Sequence, residues 1–94
     1  KTLIEDSKGR LWVGTEGGGV NLFDHTSQTF KRYLNIPNDS SSISSNDINV
    51  IFEDLNGTIW FGTRDGLNMY LESKRCFKRF KYKSDGVNGL SNNL

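Results

Sequence analysis

Two adjacent carboxylate pairs, Glu5-Asp6 and Glu53-Asp54, are the residues in this chain whose types most resemble acid/base or metal-binding machinery. Neighbouring side chains on an extended strand point to opposite faces, so the two carboxylates of each pair cannot converge on one substrate. The pairs read instead as architecture, with Asp opening a turn and Glu ending the strand before it. His25 is the single histidine and sits among turn formers with no Cys, Asp or Glu cluster at ligand spacing, so no metal site is expected. Gly17-Gly18-Gly19 leads into a strand-like segment rather than a helix, which excludes the geometry of a phosphate cradle. No nucleophile has a positioned base, so the segment is expected to be non-catalytic and to carry no cofactor. Cys76 is the only cysteine, which rules out a disulfide within the chain.

The carboxylate pairs belong to something larger. Glu5-Asp6-Ser7-Lys8-Gly9-Arg10-Leu11-Trp12-Val13-Gly14-Thr15 recurs as Glu53-Asp54-Leu55-Asn56-Gly57-Thr58-Ile59-Trp60-Phe61-Gly62-Thr63, a step of 48. Downstream, Val20-Asn21-Leu22-Phe23 returns as Leu67-Asn68-Met69-Tyr70, and Phe30-Lys31-Arg32-Tyr33 as Phe77-Lys78-Arg79-Phe80, now at a step of 47. One residue is lost where Gly17-Gly18-Gly19 becomes Asp65-Gly66. A period of this length, built of short turn-separated segments, points to a unit that must stack on copies of itself to bury its faces.

Each unit reads as four strands. Ile48 to Glu53 precedes a type I turn at Asp54-Leu55-Asn56-Gly57, with Asp at its first and Gly at its fourth position. Thr58 to Thr63 is β-branched and aromatic with little alternation, the pattern of a strand covered on both faces. Asp65-Gly66 signals a hairpin into Leu67 to Leu71, and Phe77-Lys78-Arg79-Phe80 begins a charged outer strand. Trp12 and Trp60 are expected at equivalent mid-strand positions as packing residues. The segment from Asn35 to Asn46 is rich in turn formers; its tail Ile43-Ser44-Ser45-Asn46 returns as Leu90-Ser91-Asn92-Asn93, a connector with Ile43 and Leu90 as apolar plugs.

The sequence has 94 residues with 12 basic and 11 acidic side chains, a net charge of +1, which does not mark a nucleic-acid partner. Lys74, Arg75, Lys78, Arg79, Lys81 and Lys83 nevertheless crowd the second unit. The first reading of that cluster is a solvated edge strand guarded against pairing; the second is a patch for sulfated or uronic sugars or for nucleic acid, although the recurring aromatics Phe30/Tyr33 and Phe77/Phe80 read first as packing positions rather than base-stacking platforms. The chain begins at Lys1 without a basic-then-apolar leader, and no apolar run approaches the ~18 residues of a membrane span. Targeting information and direct membrane contact are therefore expected outside this sequence. Two repeats fall below the roughly three that such architectures need, so further blades are expected from a parent chain or from self-association.

The motif Ile-x-Glu-Asp-x-x-Gly-x-Leu/Ile-Trp-Ile/Val-Gly-Thr, followed by a glycine turn, an aromatic edge and a Ser-Asn connector, resembles the two-component regulator propeller repeat. It is met from Ile4 to Asn46 and again from Phe52 to Asn93, with Phe52 standing in for Ile and Asp65-Gly66 shortening the turn. The resemblance implies an all-β fold, a β-propeller fragment of two four-stranded antiparallel blades, at residues 1–47 and 48–94. It further implies the extracytoplasmic, periplasmic ligand-sensing propeller of a hybrid two-component sensor histidine kinase that responds to glycan-derived ligands such as oligosaccharides. The alternative is a structural or protein-interaction propeller with no small ligand. Residues shared by both units are explained by the fold, so ligand contacts are expected from the unit-specific loop residues Glu16, Asp39, Arg64 and Asp65. Convergence of their loops on one rim with mixed charges and an exposed aromatic would favour sensing.

Overall fold

A computed structural model describes residues 2–80. Eight strands run in chain order: β1 (Thr2–Glu5), β2 (Arg10–Gly14), β3 (Val20–Asp24), β4 (Thr29–Tyr33), β5 (Ile48–Glu53), β6 (Ile59–Thr63), β7 (Gly66–Leu71) and β8 (Cys76–Phe80). They form two four-stranded sheets, β1-β2-β3-β4 and β5-β6-β7-β8, each a simple antiparallel meander. No helix occurs among the described residues. The all-β reading with two four-stranded blades thus holds. Lys81, Lys83 and the second connector at 90–93 lie outside the described residues.

The turns form for the reasons their residues supply. Asp6 Oδ1 accepts from the backbone N–H groups of Lys8 and Arg10, and Asp54 Oδ1 accepts from those of Asn56 and Thr58. Gly9 and Gly57 donate back to the Asp6 and Asp54 carbonyls with φ of 78° and 83°, a region in which glycine is unstrained. The second carboxylate oxygen then reaches the repeat tryptophan: Trp12 Nε1 donates to Asp6 Oδ2 at 2.7 Å and Trp60 Nε1 to Asp54 Oδ2 at 2.8 Å. Each aspartate is therefore used up in tying its hairpin to the strand beyond, as expected from its turn position.

The sheets pack face to face and approach most closely along their first strands, β1 and β5. Gly14 makes that approach possible, since a Cβ there would lie 2.6 Å from Ile48 Cγ2 and 2.7 Å from Thr2 Cγ2. The core between the sheets takes Trp12, Val20, Leu22 and Tyr33 from the first and Ile51, Ile59, Phe61, Tyr70 and Phe77 from the second. Trp12 meets Phe61 and Tyr70 edge-on at 5.3 and 5.0 Å between ring centroids, geometry that aromatic quadrupoles favour. Ile43 is fully buried and plugs the core from the connector.

The expectation that the strand from Thr58 to Thr63 is covered on both faces needs correction. Trp12 and Trp60 occupy equivalent positions, mid-strand and bonded to equivalent aspartates, yet their surroundings differ. Trp12 is enclosed between the sheets, whereas Trp60 is half-buried on the outer face of the second sheet, stacked on Phe52 at 6.3 Å and tilted against Phe80. The same cause explains why β6 is buried on one face and only partly covered on the other. A blade lies against one side of it, and none lies against the side that Trp60 faces.

Candidate functional site

The ends of the sheets differ in chemistry. At one end lie the aspartate hairpins; at the other, the β2–β3 turn, the β6–β7 turn and the connector from 34 to 47 are knitted together. Asn46 organises this second end. Its carbonyl accepts from Gly17 and Gly19 at 3.0 and 2.9 Å, and its side-chain oxygen accepts from the Asn35 N–H at 2.7 Å. Gly19, at φ 74°, lies so close to β4 that a Cβ would stand 2.3 Å from the Tyr33 carbonyl oxygen. The connector is then fixed to the second sheet. Buried Asn68 accepts from the Ser44 N–H at 3.0 Å and donates to Ser44 Oγ at 2.8 Å, and Arg79 Nε donates to the Ser42 carbonyl at 2.9 Å.

On this floor stands a charged rim. Glu16 and Asp47 pair through the backbone as an isolated bridge, and the Arg64 N–H donates to the Asp47 carbonyl at 3.1 Å. The Arg64 guanidinium reaches Asp47 Oδ2 at 3.5 Å, a long and exposed ion pair. Asp65 follows on the same turn, its N–H donating to Thr63 Oγ1 at 3.1 Å. Three of the four residues expected from the sequence, Glu16, Arg64 and Asp65, are thus brought together around Asp47, which sequence reasoning passed over. The signal was available, since Asp47 directly follows the repeated Ile43-Ser44-Ser45-Asn46 tail.

Asp39 is placed differently. Its carboxylate accepts from the Ser41 hydroxyl at 2.6 Å and the Ser41 N–H at 2.9 Å, which hold it below the ordinary carboxylate range, and its carbonyl accepts from Arg79. It lines an open groove of about 330 Å³ between β4 and β8 together with Lys31, Arg32, Ser41 and Arg75. The exposed aromatic expected on the rim is also elsewhere: Phe30 and Phe52, the exposed aromatics among the described residues, stand on β4 and β5.

A second polar cluster lies between the sheets. Arg10, nearly enclosed, donates through Nε to Asp6 Oδ2 at 2.8 Å, and through its two terminal nitrogens to both Glu72 oxygens at 2.6 and 2.9 Å. Burial alone would push the Asp6 carboxyl up, but bonds from the Trp12 indole and from the Arg10 backbone and guanidinium outweigh it and hold the group low. The Arg10 guanidinium likewise holds Glu72 below the usual carboxylate range against the opposing effect of burial. Beside them the Tyr33 and Tyr70 hydroxyls meet at 3.0 Å, and burial followed by the Tyr33 contact pushes the Tyr70 phenol up. Glu53, beyond ending β5, accepts from the N–H and hydroxyl of Ser7 in the other blade at 2.9 and 2.6 Å. Among the described residues no buried side-chain nitrogen or oxygen lacks a hydrogen-bond partner, and this cluster joins the two sheets through such bonds.

This architecture is shared with known proteins. The family described as two component regulator propeller matches residues 1–17 and 42–65. The extracellular domain of BT3049 from B. thetaiotaomicron, described as a hybrid two component system, aligns with 98% of this chain at a TM-score of 0.74 and 27% identity. Two structures of the extracellular domain of BT4673 from the same organism align at TM-scores of 0.73 and 0.70, with 25% and 28% identity over 92% and 84% of the chain. The chain spans 13%, 12% and 11% of the three solved chains respectively. Among curated proteins none matches it. The two segments that match the two component regulator propeller family each carry one aspartate–tryptophan hairpin of the two four-stranded meanders, so the similarity falls on the same part of both sheets.

Proposed function

We propose that the two blades form part of the extracytoplasmic, periplasmic ligand-sensing propeller of a hybrid two-component sensor, with the rim of Glu16, Asp47, Arg64 and Asp65 contributing to ligand contact. The observation that carries this reading is the joining of the β2–β3 and β6–β7 turns through Asp47, which gathers unit-specific charges at one end of a rigid double sheet. Carboxylates accept paired hydroxyl donors, and a guanidinium donates to ring and carboxylate oxygens, so the set suits polyhydroxylated ligands such as glycan breakdown products. The solved relatives, extracellular domains described as belonging to signalling systems, support the location and the role. Neighbouring blades on either side are the partners, and the segment itself is non-catalytic. The test is calorimetric titration of the complete parent sensor domain with candidate oligosaccharides, before and after Arg64→Ala and Asp65→Ala. A loss of roughly tenfold or more in affinity for either variant, about 1.4 kcal/mol, is expected; unchanged affinity for both removes these residues from the site.

One observation favours a second reading. Among the described residues the rim loops carry no exposed aromatic on which a sugar ring could stack, and a propeller that binds protein partners rather than small ligands has no need of one. Failure of every oligosaccharide to bind the intact domain, with a signalling partner still captured by it, would decide for that reading.

A further inference from the structure

Four positions at which the two blades depart from their own repeat meet across the interface between them. Arg10 stands where the second blade has Thr58, Glu72 where the first has His25, Tyr33 where the second has Phe80, and Tyr70 where the first has Phe23. In space they pair: Arg10 with Glu72 through two short hydrogen bonds, and Tyr33 with Tyr70 through their hydroxyls. The buried remainder of the facing surface is mainly repetitive and apolar, with Trp12, Val20 and Leu22 matched by Trp60, Leu67 and Met69 on the outer face, while the further cross-blade bonds from Ser7 to Glu53 lie exposed at the edge.

Apolar burial has no direction, so blades with interchangeable apolar faces can exchange neighbours, a characteristic failure of repeat proteins. Buried polar groups discriminate, because a wrong neighbour leaves them unpaired. We infer that the Arg10–Glu72 and Tyr33–Tyr70 pairs are a two-point polar key by which this face of the first blade selects the second and rejects other blades of the same family. The partner that fits this face is a blade with a carboxylate two residues beyond a tyrosine at the end of its third strand. The outer faces carry neither half of the key: Thr58 and Phe80 stand at the Arg10 and Tyr33 positions of the second blade, and Phe23 and His25 at the Tyr70 and Glu72 positions of the first. Those faces suit neighbours without it. The Lys8–Glu72 ion pair at 3.5 Å is exposed and adds little selectivity.

The inference is independent of the sensing role and is tested by building the charged half of the key where it is missing. Asp54 already accepts from the Thr58 N–H and the Trp60 indole as Asp6 does from Arg10 and Trp12, so an arginine at 58 would find the same carboxylate behind it. The 94-residue chain is prepared as Thr58→Arg and separately as His25→Glu, and association of each alone and of the mixture is followed by sedimentation velocity. The mixture is expected to associate about tenfold more tightly than either variant alone, with the advantage shrinking at high salt. Equal association in all three samples, or none in any, overturns the inference. A second measurement keeps the native interface in view: in a double-mutant cycle of Arg10→Thr and Glu72→His, the double variant should lose clearly less stability than the sum of the singles, and strict additivity also overturns it.

Discussion

Phe30 and Phe77 hold the same place in the two blades, each in the last strand before a Lys-Arg pair, yet Phe30 is 64% exposed and Phe77 3%. Leu3 and Ile51 repeat the contrast on the first strands, at 61% and 3%. Both exposed residues belong to the face of the first blade that points away from the second. On the far side of the pair the order is reversed: Trp60 and Phe80 are partly exposed where Trp12 and Tyr33 are buried. Position in the stack, and not residue type, decides which copy of a repeated side chain becomes core. The two outer faces carry the residues that a preceding and a following blade would bury, and the proposal of neighbouring blades rests on them.

The sharpest way to break that comparison is to delete the same ring twice. Phe77→Ala should cost about 3–5 kcal/mol of unfolding free energy and Phe30→Ala within about 0.5 kcal/mol, read from urea denaturation of the 94-residue chain. Similar costs would mean that the sheets do not pack in solution as they do here. In the complete propeller the gap should close, because Phe30 would then be covered.

A smaller effect separates the two strand glycines. Gly14→Ala pushes a methyl into Ile48 of the other blade and should destabilise by about 1–3 kcal/mol. Gly62→Ala meets only Val50 of its own sheet, 2.6 Å away but exposed and able to turn aside, so its cost should be the lesser in the same denaturation series.

The polar interface predicts an acid limb. Asp6 and Glu72 are both held below their ordinary values, so the stability they contribute is complete at neutral pH and is lost as pH falls from about 4.5 through the lowered values. Melting temperature followed between pH 7 and 2 should drop on that limb, and Arg10→Thr should flatten it by removing the guanidinium that lowers both groups. An unchanged slope in the variant would assign the acid sensitivity to other carboxylates.

The least effect should come from single hydroxyls. Tyr33→Phe leaves the buried Tyr70 hydroxyl unpaired and should cost about 1 kcal/mol, while Tyr33→Phe with Tyr70→Phe should recover most of it. If the double variant is no better than the single in chemical denaturation, the two hydroxyls are not bonded to each other.

Much of this was legible in the residues. The repeat, the strand count, the aspartate turns and the plug at Ile43 all follow from local chemistry: a turn-opening Asp followed three residues later by Gly, β-branched and aromatic runs, and a short apolar residue in a polar connector. The rim was legible in part, since Glu16, Arg64 and Asp65 stand in turns that the meander brings to one end. Asp39 was assigned to that rim because it lies in the same connector, but Ser41 and Arg79 hold it instead beside the outer strand.

What the sequence by itself determined is everything whose partners lie within one hairpin or one repeat period, because turn geometry and side-chain alternation act over a few residues. What only the tertiary structure decided is which face each blade buries and which departures from the repeat find one another. Arg10 and Glu72 are 62 residues apart, and Tyr33 and Tyr70 37 apart. Neither spacing equals the repeat period, so no local rule joins them. They meet because a flat sheet with two apolar faces must cover at least one, and the connector folded over by Asn46, Asn68 and Arg79 brings the second blade onto the face that carries Trp12.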